Sequence, residues 1–268
     1  MSDIMLCGSD VMTDDRRRTI EQIVSTKGET FLSELEELFP AISSMTLRRD
    51  LIYLEKMGIV RRTRGGAISV SRVNKPYEDT FSRRAQRDVV AKRAICRAAM
   101  KLFAPDSTVF IDSGSTLMHF AQMIPDETCL IVTAGPNIAL ELASKTKPDV
   151  LLLGGRMRRN TLSVSGHWAL EALEQLNIDT AFMGTSGFSL DTGFTSGSLE
   201  ECELKREVLS RAKTKVMMMD RTKSSRVLPF TFAHMEDIDY LISDMETTAD
   251  LHRLAEEKNV KIITSGGE

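Results

Sequence analysis

Along the first seventy residues, apolar positions recur at helical spacing in three short runs. Ile20, Ile23 and Val24 mark one face of a helix over Asp14 to Lys27, with Gly28 as its stop. Asp14 and Asp15 stand at its start, where carboxylates suit the helix dipole. After an extended piece, Glu29 to Leu32, Ser33 is placed to cap a second helix that buries Leu35, Leu38 and Phe39. Pro40 ends it, because proline disfavours helical geometry in the residue before it. Ser43 caps a third helix carrying Leu47, Leu51, Leu54 and Met57 on one side, with Gly58 past its end. Two β-prone runs then flank Gly65-Gly66 between Ile59 and Val70, which predicts a hairpin.

Three short helices with a tight turn between the second and third, followed by a hairpin, are the layout of a winged helix-turn-helix. Such modules touch base edges mainly from the N-terminal end of the third helix. The expected DNA-contacting set is therefore Ser43, Ser44, Thr46, Arg48 and Arg49 from that helix. Arg61, Arg62 and Arg64 from the wing complete it. An arginine fork can bond guanine bidentately or clamp a phosphate, and Asp50 is placed to orient one of these guanidinium groups.

Charge sharpens this reading. The whole chain of 268 residues carries a net charge of -3, which by itself says nothing of nucleic acid. From Pro40 to Lys75, however, eight basic residues face only Asp50 and Glu55. A basic patch on an acidic chain is the footprint of a phosphate-facing surface.

Beyond this module the pattern changes. Residues 72–80 lack apolar periodicity and read as a linker, after an N-terminal segment 1–13 expected to be disordered and a DNA-binding domain over 14–71. Phe81 to Phe103 reads as one long helix whose Arg83, Arg84, Arg87, Lys92, Arg93 and Arg97 form a solvated face, with DNA phosphates as a second partner for some of them. Seven short apolar runs follow, beginning at Thr108, Cys129, Val150, Thr180, Val216, Tyr240 and Lys261, with helical stretches between most of them. This alternation predicts an α/β domain with a mainly parallel sheet over 81–268.

Ligands of such sheets bind outside the carboxyl ends of the strands. There, Asp112-Ser113-Gly114-Ser115-Thr116 follows the first strand and opens a helix, a good cradle for a phosphate. Thr133, Gly154-Gly155-Arg156, and Gly184-Thr185-Ser186-Gly187 follow later strands and are placed to close the pocket. Lys205 can supply positive charge, while Arg206 reads as solvent-exposed. The scattered Cys7, Cys96, Cys129 and Cys202, and the scattered His119, His167, His234 and His252, suggest neither a disulfide framework nor a metal site. No cofactor is expected. Hydrophobic content of 42% without a long apolar run argues against a membrane span, and the start of the chain lacks a secretory pattern, so the cytoplasm is the expected location.

Two sets of residues carry a family resemblance. Thr46-Leu47-Arg48-Arg49-Asp50-Leu51, Leu54-Glu55 and Arg62-Thr63-Arg64-Gly65-Gly66-Ala67 resemble the DNA-binding signature of the DeoR family of bacterial regulators. The order of Asp112 to Thr116, Gly154-Gly155, Gly184 to Gly187, Glu203-Leu204-Lys205-Arg206 and Ile242-Ser243-Asp244 is similar to that family's sensor domain. Two departures stand out: the turn Phe39 to Ser43 is one residue longer than usual, and Thr133-Ala134 replaces the usual Thr-Asn. The resemblance implies a fold related to sugar-phosphate isomerases, a double-stranded operator, a phosphorylated sugar as effector, and repression as the default.

The leading expectation is a metabolite-responsive repressor of a carbohydrate operon, working as a homo-oligomer, with no catalytic residues. A second reading is an isomerase-like enzyme with an appended DNA module, using Asp112 or Glu200 as base, though no carboxylate pair or His–carboxylate motif marks either. A third is a constitutive DNA-binding protein indifferent to metabolites.

Overall fold

A computed structural model describes residues 8–27, 29–63, 65–69, 78–224, 226–245 and 248–265. The chain divides into two compact units at Lys75/Pro76, within the expected linker.

In the first unit α1 spans Gly8–Lys27, β1 Glu29–Phe31, α2 Leu32–Leu38 and α3 Ser44–Lys56, followed by β2 Val60–Thr63 and β3 Gly66–Ser69. Helix α1 starts six residues before Asp14, so residues 8–13 are helical rather than part of a disordered segment. No glycine or proline interrupts Ser9 to Lys27, so nothing in the sequence stops the helix from running back. Ser33 does not cap α2. Phe31 holds that position, and the Glu34 carboxylate reaches back to accept from the Phe31 amide at 3.1 Å and the Thr30 hydroxyl at 2.9 Å. The three strands pair antiparallel in the order β1-β3-β2, so the wing is a three-stranded sheet. Gly66 is required there, since a Cβ would meet the Thr30 carbonyl at 2.0 Å. Ile20, Val24, Leu35, Leu47, Leu51, Leu54, Val60 and Ala67 form one core under the helices and the sheet.

The second unit begins with α4, Phe81–Gln86, and α5, Val89–Met100. The expected single helix over 81–103 is broken at Arg87 and Asp88, the latter left-handed at φ +50°. Lys92 explains the break. Its ammonium is buried, not solvated, and donates to the carbonyls of Arg84 and Arg87 at the broken end of α4. Burial pushes this ammonium down to about 8 against the pull of Asp220.

A seven-stranded parallel sheet follows, with all seven expected strands in it. They are β4 Thr108–Ile111, β5 Cys129–Thr133, β6 Pro148–Leu152, β9 Ile178–Gly184, β12 Ala212–Met219, β14 Tyr240–Ser243 and β15 Lys261–Thr264. Their order is β15-β14-β12-β9-β4-β5-β6. Alternate residues serve opposite faces: Met217 and Met219 join one core with Phe110 and Ala181, while Val216 and Met218 join the other with Ile111 and Phe182. The helices are α6 Ser115–Met123, α7 Pro136–Leu142, α8 His167–Glu174, α9 Leu199–Arg211 and α10 Ala249–Glu257. Two features were not foreseen: the hairpin of β7 Arg156–Arg158 and β8 Ser163–Ser165, and a small antiparallel sheet of β10 Gly187–Ser189, β11 Gly193–Ser196 and β13 Phe230–Ala233. Among the described residues no helix is long and apolar enough to cross a membrane.

Candidate functional site

In the first unit, Ser43 caps α3, its hydroxyl accepting from the Thr46 amide at 3.3 Å and lying 2.9 Å from the Thr46 hydroxyl. Leu47, Leu51 and Leu54 turn α3 inward, which leaves Ser44, Met45, Arg48 and Arg49 exposed on its N-terminal half. Ser44 donates to Glu36 at 2.5 Å. Arg61 is exposed on the wing, while Arg62 is held by Glu55 at 2.6 Å, and Arg64 lies outside the described residues.

Asp50 departs from expectation. It is 1% exposed and turns away from Arg48 and Arg49. Its two carboxylate oxygens accept from Arg16 Nε at 2.7 Å and Arg17 Nε at 2.9 Å, locking α3 to α1. The Arg17 guanidinium also lies 3.9 Å above the Tyr53 ring. So the Arg-Arg-Asp run splits: two arginines face outward and the aspartate ties down the helix that carries them. Helical spacing could have shown this, because Asp50 shares its face with Leu47 and Leu54.

In the second unit the sheet changes direction between β4 and β9, so the carboxyl ends of these strands form the crevice. Asp112, just past β4, accepts from the Gly184 amide at 2.9 Å at the end of β9. Lys205 on α9 donates to Asp112 at 2.5 Å and to the Gly184 carbonyl at 2.7 Å, and lies 3.6 Å from Glu201. Burial works against the ammonium, but Asp112 and Glu201 outweigh it and push Lys205 up to about 12. Lys205 thus makes two hydrogen bonds that hold the crevice together, and it still lines the cavity where a phosphate partner is expected.

Ser113, Gly114, Ser115 and Thr116 wrap the first turn of α6 around a cavity of about 30 Å³, also lined by Gly184, Thr185, Ser186, Glu201, Lys205 and Arg84. Gly114 sits at φ +144°, a conformation that favours glycine, as the N-cap of α6, whose first turn has no side-chain cap. Thr185 and Thr133 contribute differently from expectation. The Thr185 hydroxyl donates to the Gly187 carbonyl at 2.7 Å, and the Thr133 hydroxyl donates to Ile111 at 2.7 Å and accepts from Gly135 at 3.0 Å. Both hydroxyls shape loops, and Thr185 also lines the cavity. Gly155, at φ +135°, starts the β7–β8 hairpin, whose Arg158, Arg159, Asn160 and Thr161 line a second cavity of about 230 Å³ together with Glu78 and Gly197.

Four further residues join the site. Glu78 accepts from the Ser196 hydroxyl at 3.0 Å and the Gly197 amide at 3.1 Å, and Arg84 approaches it to 3.4 Å. Burial disfavours the Glu78 carboxylate, yet Arg84 and the Gly197 amide hold it below the usual carboxylate range. Glu201, buried and repelled by Glu78, is pushed up to about 7. Lys223 also lines the smaller cavity. Of these, only Glu201 had a sequence signal, its i,i+4 spacing from Lys205. Glu78 lies in a stretch without periodicity, and Arg84 resembled its solvated neighbours.

Neither carboxylate weighed as a catalytic base is free. Asp112 is neutralised by Lys205, and Glu200 pairs with Arg156 at 3.3 Å and Arg158 at 3.6 Å.

Residues 16–73 match the family model of the DeoR-like helix-turn-helix domain, and residues 87–245 match that of the DeoR C terminal sensor domain. The chain belongs to the DeoR family. This DeoR-family chain is 32% identical, over 92% of its length and 96% of the relative's, to the HTH-type transcriptional regulator GlpR of Haloferax volcanii. It is 28% identical to the putative aga operon transcriptional repressor of Escherichia coli O157:H7, covering 95% of this chain and 94% of that one. Among solved structures it is similar to a ribose 5-phosphate isomerase from Methanocaldococcus jannaschii at 15% identity, covering 50% and 54% of the two chains with a TM-score of 0.38. The DeoR-family chain is a DNA-binding transcriptional regulator and not an enzyme.

Proposed function

We propose that this regulator represses a carbohydrate-metabolism operon and is released from its operator by a phosphorylated sugar bound beside Ser113 to Thr116. The observation that carries the reading is the α6 cradle, where uncapped first-turn amides, the hydroxyls of Ser113, Ser115 and Thr116, and a positive-φ glycine converge at the switch point of a parallel sheet. The names of relatives support repression: one is a putative aga operon transcriptional repressor, and another is the transcriptional repressor GlcR of Bacillus subtilis. Arg48 and Arg49 read base edges, Ser43, Ser44 and Thr46 approach the backbone beside them, and Arg61 meets phosphate from the wing. The protein acts in the cytoplasm as a homo-oligomer, in keeping with two-fold operators.

The ligand weakens DNA binding only if it favours the DNA-free arrangement. A thermal-shift screen of phosphorylated sugars against the full chain, followed by gel-shift titration of its own promoter region, tests the reading. A hit that raises the melting temperature and releases DNA is expected. Stabilisation by none of them, with DNA binding intact, would leave a constitutive DNA-binding protein.

A further inference from the structure

Two cavities meet at one ion pair. Glu78 lines the larger one, and Arg84 lines the smaller one beside the cradle. Arg84 also reaches the larger side, donating from Nη2 to the Thr161 carbonyl at 3.5 Å. The Glu78–Arg84 pair therefore stands where the two spaces would join. At about 30 Å³ the cradle cavity has room for little more than a water, and the larger cavity lacks the α6 amides.

The pair is also incompletely satisfied. Arg84 Nε and Glu201 Oε2 are buried yet make no hydrogen bond, and Glu78 Oε2 has only the long 3.4 Å contact with Arg84 Nη1. The Glu78 and Glu201 side chains are only 5% and 6% exposed. Buried polar groups nearly always find partners, and two orphans around one loosely made ion pair mark a place built for another occupant. Glu78 itself resembles such an occupant: an anion held by a guanidinium, a backbone amide and a hydroxyl, which is the donor set a phosphate monoester takes. It also lies within the expected linker, residues 72–80.

We propose that Glu78 is a built-in stand-in for the anionic effector, and that a phosphorylated ligand takes Arg84 from it. Displacement joins the two cavities into one that accepts a phosphate at the cradle and a polyol beside Asn160 and Thr161. It also releases the start of this unit from Ser196 and Gly197, so effector binding loosens the chain where it leaves for the DNA-binding module. The inference rests on the cradle reading above and adds the competitor and the path of the signal.

The test uses the full chain and inorganic phosphate, with ionic strength matched by sodium chloride. Phosphate affinity is read from melting shifts, and hydrogen exchange is followed at the Gly197 amide. Wild-type protein is expected to bind phosphate and to exchange Gly197 faster when it does, since that amide loses the Glu78 acceptor. Glu78→Gln should bind phosphate about threefold tighter or more, because the competing charge is gone. Arg84→Met should bind it about tenfold more weakly. If Arg84→Met fails to fold, Arg84→Lys replaces it and should weaken binding by a smaller factor. A residue with a merely structural role would not tighten binding when neutralised. Unchanged affinity in Glu78→Gln, or a Gly197 amide that phosphate leaves alone or protects, overturns the stand-in while the cradle survives. Wild-type protein that ignores phosphate overturns both.

Discussion

The Lys205 ammonium lies 2.5 Å from the Asp112 carboxylate, although 93 residues separate them in the chain. Both are buried, and the same carboxylate oxygen accepts from the Gly184 amide at 2.9 Å. The pair thus clamps the end of β4 to the end of β9 and to α9, which fixes the mouth of the crevice. Lys205→Met strands two buried carboxylates, Asp112 and Glu201, without their counter-charge. It should cost about 3 kcal/mol in denaturant unfolding. Adding Asp112→Asn should recover part of that loss, as coupled neighbours do.

Glu201 predicts a pH dependence. Burial first, and repulsion by Glu78 second, push it up to about 7 from an ordinary 4.5. The folded protein therefore binds this proton more tightly than the unfolded chain does. Its stabilising contribution is complete below about 4.5 and is lost as pH rises through 7. Melting temperatures of wild type and Glu201→Gln measured between pH 5.5 and 8 should diverge as pH rises, the wild type losing ground. Parallel curves would show that Glu201 is ionised throughout.

The Asp50 contacts separate stability from recognition in α3. Asp50→Ala removes the acceptor of Arg16 and Arg17, and should lower the stability of the first unit by about 3 kcal/mol. Arg48→Ala and Arg49→Ala leave exposed positions and should not shift the melting temperature. Each should weaken specific operator binding by about 1–3 kcal/mol in a gel-shift titration. Unchanged affinity would move the reading surface elsewhere on the module.

The cradle can be blocked without touching DNA contacts. Ser115→Leu with Thr116→Leu fills the space before the first turn of α6. DNA affinity should persist while release by a phosphorylated sugar disappears. Release that survives would place the effector outside the cradle. Gly114→Ala tests the same turn through the backbone, because φ +144° costs an alanine about 1–3 kcal/mol.

The three-helix module, the wing and all seven strands of the sheet were legible in the sequence. Each rests on a local signal: Leu47, Leu51 and Leu54 at helical spacing, a capping Ser43, a glycine turn, or a short apolar run that buries both faces. The loop between β4 and α6 was legible for the same reason, since Asp112 to Thr116 are contiguous and follow one strand. What contiguity cannot carry is the partner of a charge. Asp50 looked like a neighbour of Arg48 and proved to bind Arg16 and Arg17, and Lys205, read only as a positive charge, proved to be tied to Asp112, Glu201 and Gly184 as well. Lys92 looked solvated and proved to be the buried cap of a broken helix. Burial makes an unpaired charge costly, so each buried charge takes whichever opposite group the fold brings near. Only the tertiary structure decides that choice, and it is how Glu78 and Arg84, silent in the sequence, came to stand between the two cavities.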